Sequence, residues 1–289
     1  MQPVDRSPVT LEIRNPVPEE YGALRSLWQS VFGDGPDYID RFFQSADPSA
    51  CALTAWDGER LASMLYLLPS VFTLDGVSCD GCYVYAVATD PDYRGRGIMT
   101  RLEGAACRLA AQDGAKCMAL VPANAGLFPM YHKLGYRTRF YLGTSEVAPA
   151  VKPAAKLSRC SRNDFLTLRR ELLRGKACSF DLYPSGCEYR YHEFQSSGGE
   201  ILLAEASGAV GYLAGRREGE VYRIAETSLT GRPLAEAAGV LRSRDGVRRV
   251  LVTGSCGTLH PYGMLKLLDG APDGARIRTA APYMNLMLN

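Results

Sequence analysis

The sequence has no run approaching the roughly 20 consecutive apolar residues that a membrane-crossing helix needs. Its opening, MQPVDRSPVT, offers no apolar stretch that could act as a secretory signal. A soluble, cytoplasmic chain without a membrane partner is therefore expected. An excess of charge of one sign is also missing. Thirty-three basic residues face 31 acidic ones for a net +2, so no broad field steers the chain onto nucleic acid. Histidine is scarce at three, and His132, His192 and His260 show no ligand spacing with cysteines or carboxylates, so no metal site is expected. Nine cysteines in 289 residues are too few for a disulfide scaffold, and their odd number fits reduced thiols packed as small apolar groups. Cys79 and Cys82 form a C-x-x-C without the second pair that a zinc site requires. What remains is globular composition, 46% hydrophobic and 22% charged, which excludes a disordered or coiled-coil chain. The length suits two domains on a prior of roughly 100 to 200 residues each.

Helical spacing of Tyr21, Leu24, Leu27, Trp28, Val31 and Phe32 after Pro18-Glu19-Glu20 predicts an amphipathic first helix. Tyr38, Ile39, Phe42 and Phe43 predict a second, shorter one. Both stripes read first as core, although Trp28, Phe32 and Tyr38 are placed to line an acceptor pocket. Residues 51–56 and 61–72 flank Asp57-Gly58, a pair that readily takes the positive φ angles of a hairpin turn. A second Asp-Gly at 75–76 leads to another strand over 81–89. Ile98, Met99, Leu102, Ala106, Leu109 and Ala110 then mark a helix ended by Gly114. A strand over 116–122, a short helix over 125–134 and a strand over 136–147 complete the first half, and residues 149–156 read as a linker. Beyond it, a helical stretch at 162–174, strands at 200–206, 209–216 and 221–227, a helix at 233–244 and a strand at 249–253 copy part of the same order. Residues 282–289 read as a final strand.

The segment from Val87 through Thr89 and Arg94-Gly-Arg-Gly-Ile-Met99 to Leu102 is a strand, a glycine-bearing loop and a helix start. Such a loop aims unpaired amides at one spot, at the positive end of the helix dipole, where an anion can sit. It is neither a nucleotide P-loop, which needs Gly-Lys-Ser or Gly-Lys-Thr, nor a dinucleotide fingerprint, which needs a third glycine where Thr100 stands. About thirty residues later, Asn124, Tyr131 and Leu134-Gly135-Tyr136 lie between a strand and another strand.

Residues 94–99 resemble the acyl-CoA loop of the GNAT acetyltransferase superfamily, and Asn124, Tyr131 and Leu-Gly-Tyr resemble its second signature. The likeness covers residues about 10 to 147. It implies an α+β fold with a mostly antiparallel mixed sheet flanked by helices, and the repeated element order implies two GNAT-like domains, 1–148 and 157–289. The second is degenerate, because its loop reads Thr230-Gly-Arg-Pro-Leu234; it is expected not to bind acetyl-CoA. By resemblance, acetyl-CoA is the co-substrate and no metal takes part. Amides from Arg96 through Gly97, Ile98 and Met99 to Thr100 hold its pyrophosphate, with Arg94 and Gly95 opening the loop. Val87, Ala88 and Thr89 offer backbone groups to pantetheine, Val87 N–H polarises the thioester carbonyl, Asn124 contacts the pantetheine arm, and Tyr131 protonates the departing thiolate.

Met99 stands where the superfamily has Gly or Ala, as in acetyltransferases of the enhanced-intracellular-survival type, which also carry tandem GNAT-like domains. The chain is too short for the third domain of that group. That group uses its terminal carboxylate, so the carboxylate of Asn289 is a candidate base or orienting group. Asp80, Tyr83, Tyr85 and Glu146 are further candidates to flank the cleft, while His132, adjacent to Tyr131 on a helix, faces elsewhere. The expected activity is N-acetyl transfer to a primary amine, on a small molecule or peptide, by a monomer or homodimer. The alternatives are a non-catalytic acyl-CoA-binding module and an aminoacyl transferase on the same tandem fold, the latter disfavoured by the near-neutral charge.

Overall fold

A computed structural model describes residues 10–150, 154–279 and 281–288. The first half runs β1 (Glu12–Arg14), α1 (Tyr21–Phe32), α2 (Pro36–Ser45), α3 (Pro48–Cys51), β2 (Ala52–Asp57), β3 (Arg60–Leu74), β4 (Val77–Thr89), α4 (Ile98–Gln112), β5 (Cys117–Leu120), α5 (Phe128–Lys133) and β6 (Arg137–Glu146). The second runs β7 (Lys156–Arg159), α6 (Arg162–Arg174), β8 (Cys178–Leu182), α7 (Pro184–Ser196), β9 (Glu200–Ala206), β10 (Ala209–Glu218), β11 (Val221–Thr227), α8 (Gly231–Arg242), β12 (Arg249–Gly254), β13 (His260–Leu267) and α9 (Gly274–Thr279). This is the expected mixed α/β architecture of two GNAT-like domains, a mostly antiparallel sheet with helices on its faces.

The strands form one continuous path, β1-β2-β3-β4-β5-β13-β6-β12-β11-β10-β9-β7, with β8 added beside β3. The two halves meet on β6, whose residues 137–142 pair with β13 and whose residues 143–146 pair with β12. β13, from the second half, fills the gap between β5 and β6, and β8 pairs Ser70–Leu74 of β3. A division near residues 148–157 thus falls between β6 and β7, while β8, β13 and the C-terminal segment return to the first half's sheet. On one face α4 packs Ile98, Leu102, Ala106 and Ala110 against Leu65, Val84 and Met118. On the other, α1 and α2 lay Leu24, Trp28, Phe42 and Phe43 over Tyr66, Tyr83 and Tyr85. Cys79 packs on the second of these faces and Cys82 on the first, as residues three apart on a strand must, so the C-x-x-C spacing brings no two ligands together.

Among the described residues 282–288, the expected final strand is absent. Ser179 and Tyr283 form a single parallel bridge, and the chain then runs irregularly, with Leu286 in a left-handed conformation at φ 50°. Its order comes from side chains. Tyr283 Oη donates to Glu226 Oε1 at 2.8 Å, Asn285 Nδ2 to the Ala225 carbonyl at 2.8 Å, and Arg169 Nη2 to the Asn285 carbonyl at 3.2 Å. Arg169 also bonds Glu226 through Nε at 2.8 Å and Asp181 through Nη1, while Arg190 reaches Asp181 at 3.1 Å. Two guanidinium groups and two carboxylates, each less than one-tenth exposed, close on one another. Neither sign of charge is left over, which is the condition for burying ions at all.

Candidate functional site

β4 and β5 run parallel only from Gly81–Cys117 to Tyr83–Ala119. Beyond that β4 continues six residues to Thr89 while β5 ends at Leu120, so the two strands part and leave a gap in the sheet. β4 also loses register on its other side. The ladder with β3 passes from Tyr66–Tyr85 to Met64–Ala88, so Ala86 and Val87 together face Leu65. Ala86 takes φ 45°, a left-handed angle that a non-glycine residue adopts only where surrounding structure imposes it. The bulge leaves Ala86 and Val87 outside the paired registers on both sides, and such bulges re-aim backbone at functional sites.

A cavity of about 650 Å³ fills the parting. Its walls are Tyr83 to Val87 of β4, Leu120 of β5, residues 121–124 after it, Leu127 and Tyr131, with Arg94 from the glycine loop, Trp28, Val31, Phe32 and Asp34 from α1 and its following turn, and Leu288 from the C-terminal segment. Val87, Arg94, Asn124 and Tyr131 of the anticipated site therefore share one cavity. The Asn289 carboxylate lies outside the described residues.

The loop from Thr89 to α4 is braced from behind. Asp90 Oδ1 accepts from Asp92 N–H at 2.9 Å, Tyr93 Oη donates to Asp57 Oδ2 at 2.8 Å, and Arg94 Nε donates to the Thr89 carbonyl at 3.2 Å. Gly95 and Gly97 adopt φ 77° and 72°, and a Cβ on either would meet open space within 4 Å. Glycine is needed here for the left-handed angle, and the space beside it is the room an approaching phosphate requires. Gly97 is the residue before α4, with Ile98, Met99 and Thr100 forming its first turn, so the loop delivers its free amides at a helix N-terminus. Met99 is half-buried and packs against the core that α4 shares with the sheet, which explains how a larger side chain is accommodated where the superfamily has Gly or Ala. The guanidinium of Arg96 stacks over Tyr93 with 5.3 Å to the ring centroid.

Tyr131 is only 6% exposed and packs edge-on against Tyr136 at 5.7 Å. Burial, and then the charge of Glu103, push its phenol up to about 12. It therefore holds its proton throughout the neutral range, as a donor to a thiolate must. His132 turns away and bonds the Tyr136 carbonyl through Nδ1 at 3.1 Å, as expected of a helical neighbour. Asn124 commits its Oδ1 to the Gly126 N–H at 3.0 Å, capping the turn over residues 125–127; its presence in the wall is thereby fixed from the backbone.

The candidate bases separate. Tyr83 and Tyr85 line the cavity, but burial raises both phenols well above their ordinary value, so neither is an anion near neutrality. Tyr83 Oη donates to the Leu288 carbonyl at 2.6 Å and Tyr85 Oη shares a 2.9 Å bond with Tyr38 Oη. Asp80 bonds Tyr183, and Glu146 pairs with Arg249 at the surface; neither lines the cavity. The carboxylate that does is Asp34, which sequence reasoning missed because Gly33-Asp34-Gly35-Pro36 reads only as a turn. In the second half, the step from β11 to α8 has one left-handed glycine, Gly231, and Pro233 removes an amide from the first turn, so it lacks the convergent donors of residues 94–100.

The GNAT acetyltransferase domain family matches residues 12–139. No curated protein matches the chain in sequence. Over most of its length the fold is similar to a conserved protein of Enterococcus faecalis V583, with TM-score 0.74 and 16% identity across 90% of this chain and 73% of that one. A GCN5-related N-acetyltransferase of Kribbella flavida gives 0.72 and 16% across 90% and 72%, and Eis1 of Mycobacterium abscessus 0.66 and 14% across 90% and 74%. The match assigns residues 12–139 to the GNAT acetyltransferase domain family, and the solved structures show that nine-tenths of the chain shares their fold.

Proposed function

We propose that the chain transfers the acetyl group of acetyl-CoA to a primary amine by direct attack on the thioester. The observation that carries this reading is the shared cavity, in which the β4 bulge, Arg94 at the start of the glycine loop, and Tyr131 border one space. Amides of residues 95–100 bind the pyrophosphate, and the bulged backbone of Ala86 and Val87 receives pantetheine and polarises the acetyl carbonyl through the Val87 N–H. Asn124 borders the pantetheine arm. The amine nitrogen attacks the carbonyl carbon, forming the C–N bond as the C–S bond breaks. Of the two protons that an ammonium must shed, one passes to solvent before attack. The second leaves the new amide nitrogen, and the thiolate takes a proton from Tyr131, which solvent then restores; acetamide, thiol and one proton in water balance the reaction. Holding amine and thioester together supplies much of the rate. The second half, without an amide loop, walls the cavity and binds no acetyl-CoA of its own.

The test is calorimetric titration of acetyl-CoA and coenzyme A into the wild type and Gly97→Trp, together with thiol release in the presence of amines. One-to-one micromolar binding, lost in Gly97→Trp, is expected. Binding of two equivalents, or binding indifferent to Gly97, would contradict this assignment.

A further inference from the structure

The acceptor side of the cavity has a specific chemistry. Trp28 is the hub of an aromatic cluster, with ring centroids 5.8 Å from Phe32, 5.7 Å from Tyr85 and 6.4 Å from Tyr38. Trp28, Phe32 and Tyr85 border the cavity; Trp28 and Tyr85 are buried, and Phe32 stays 38% exposed. Into this apolar wall the turn after α1 places one carboxylate. Trp28 Nε1 donates to Asp34 Oδ2 at 2.8 Å, which fixes the carboxylate beside the rings. Asp34 is the one acidic side chain among the described residues that line the cavity. Its pairing with the indole is to a neutral donor, so its negative charge is unbalanced by any cation there except Arg94, which belongs to the cofactor loop.

Resting on the acetyltransferase reading, we infer that the acceptor is a hydrophobic monoamine, an aryl or bulky alkyl body carrying a single ammonium, recognised by Asp34, by the exposed ring of Phe32 and by the apolar wall that the buried Trp28 and Tyr85 back. A single carboxylate next to aromatic faces suits one cation, by charge pairing and cation–π attraction, while the body is drawn in by apolar burial. A polyamine or an amino sugar brings several ammonium or hydroxyl groups, and each one without a partner in this wall costs its desolvation. The selectivity is therefore as much against polycations as for the aromatic amine.

Trp28 makes the test independent of turnover, because it is one of two tryptophans and the other, Trp56, is buried among Thr54 and Arg14 outside the cavity. Phenethylamine, cyclohexylethylamine and spermine are titrated into the coenzyme A complex of the full chain, read by intrinsic fluorescence and by calorimetry, and the same amines are assayed for acetyl-dependent thiol release. Phenethylamine and cyclohexylethylamine are expected to bind and turn over, with spermine at least tenfold poorer in kcat/KM. Asp34→Asn keeps an oxygen for the Trp28 indole and removes only the charge. It is expected to weaken the monoamines about tenfold or more, the scale of a hydrogen bond to a charged group, with acetyl-CoA affinity unchanged. Tighter binding of spermine, or a monoamine affinity unmoved by Asp34→Asn, overturns the inference. Coenzyme A binding with no response to either monoamine also overturns it and leaves the acetyltransferase reading standing; absence of coenzyme A binding sinks that reading itself.

Discussion

At the residue scale the proposed chemistry hangs on a phenol and two glycines. Tyr131→Phe removes the proton donor and keeps the packing against Tyr136, so kcat is expected to fall roughly 10²- to 10⁴-fold, the range of general acid catalysis, with acetyl-CoA affinity nearly unchanged by calorimetry. The pH dependence has a definite sign. Because burial, and then Glu103, raise the Tyr131 phenol to about 12, its proton is retained up to that pH. The wild-type kcat profile should therefore rise as the amine loses its proton and show no falling limb between pH 7 and 10. A falling limb centred near the ordinary phenol value of about 10 would show that the Tyr131 phenol is not raised, and a limb that persists in Tyr131→Phe would show that it belongs to another group. Gly97→Ala separates strain from obstruction: a left-handed residue with a Cβ costs about 1–2 kcal/mol, read as a lowered denaturation midpoint, whereas Gly97→Trp should lose coenzyme A binding outright.

At the element scale the sequence revealed those parts whose information is local. Helices α1, α2 and α4 followed from apolar spacing, α6 and α8 were expected from stretches of helical character, and the β2–β3 hairpin followed from Asp57-Gly58. β8 and α7 were missed, since β8 is five wholly buried residues without alternation and α7 buries Cys187, Arg190, Tyr191 and Phe194, a stripe in which one buried position is a charge. β13 was hidden for another reason. Pro261 and Gly263 sit where its pairing with β6 shifts register, and proline and glycine in a run argue for a loop until a distant strand is there to tolerate the bulge. At the site, Val87, Arg94, Asn124 and Tyr131 were legible because motif and element coincide, while the Ala86 bulge and Asp34 were not, because both depend on what faces them. β13 is also held to α4 by Lys266, whose Nζ lies 3.0 Å from the buried Glu103 Oε1. Lys266→Ala leaves that carboxylate buried and unpaired and is expected to cost about 3 kcal/mol in urea unfolding. Glu103→Gln with Lys266→Met should recover most of it, and a Lys266→Ala loss below about 0.5 kcal/mol would mark the pair as a solvated one.

At the scale of the whole molecule, the tandem arrangement is interlocked. β13 completes the first half's sheet, β8 lengthens it beside β3, and the segment over residues 283–288 runs from the buried ions at Arg169, Asp181, Arg190 and Glu226 to the Leu288 carbonyl beneath Tyr83. A fragment over residues 1–148 would expose the β5 and β6 edges that β13 occupies, and unpaired edges invite association. It is expected to aggregate or remain unfolded, and a folded, coenzyme-A-binding fragment would refute the interlock. The ion cluster gives the finer test. Glu226 accepts from Arg169, Tyr212 and Tyr283 at once, so Glu226→Gln leaves Arg169 with too little negative charge around it and replaces an acceptor with a donor. The expected loss is about 3–5 kcal/mol, the cost of breaking a buried pair, in one transition reported together by far-ultraviolet circular dichroism and by the tryptophans of the first half, although the substitution lies wholly in the second. Coincident midpoints follow if the halves unfold as one cooperative unit. If the second half melts first while Trp28 keeps its native emission, then β13 and the C-terminal segment can be released from the first half, and the part of the cavity wall that Leu288 forms is separable from the proposed acetyl-CoA site.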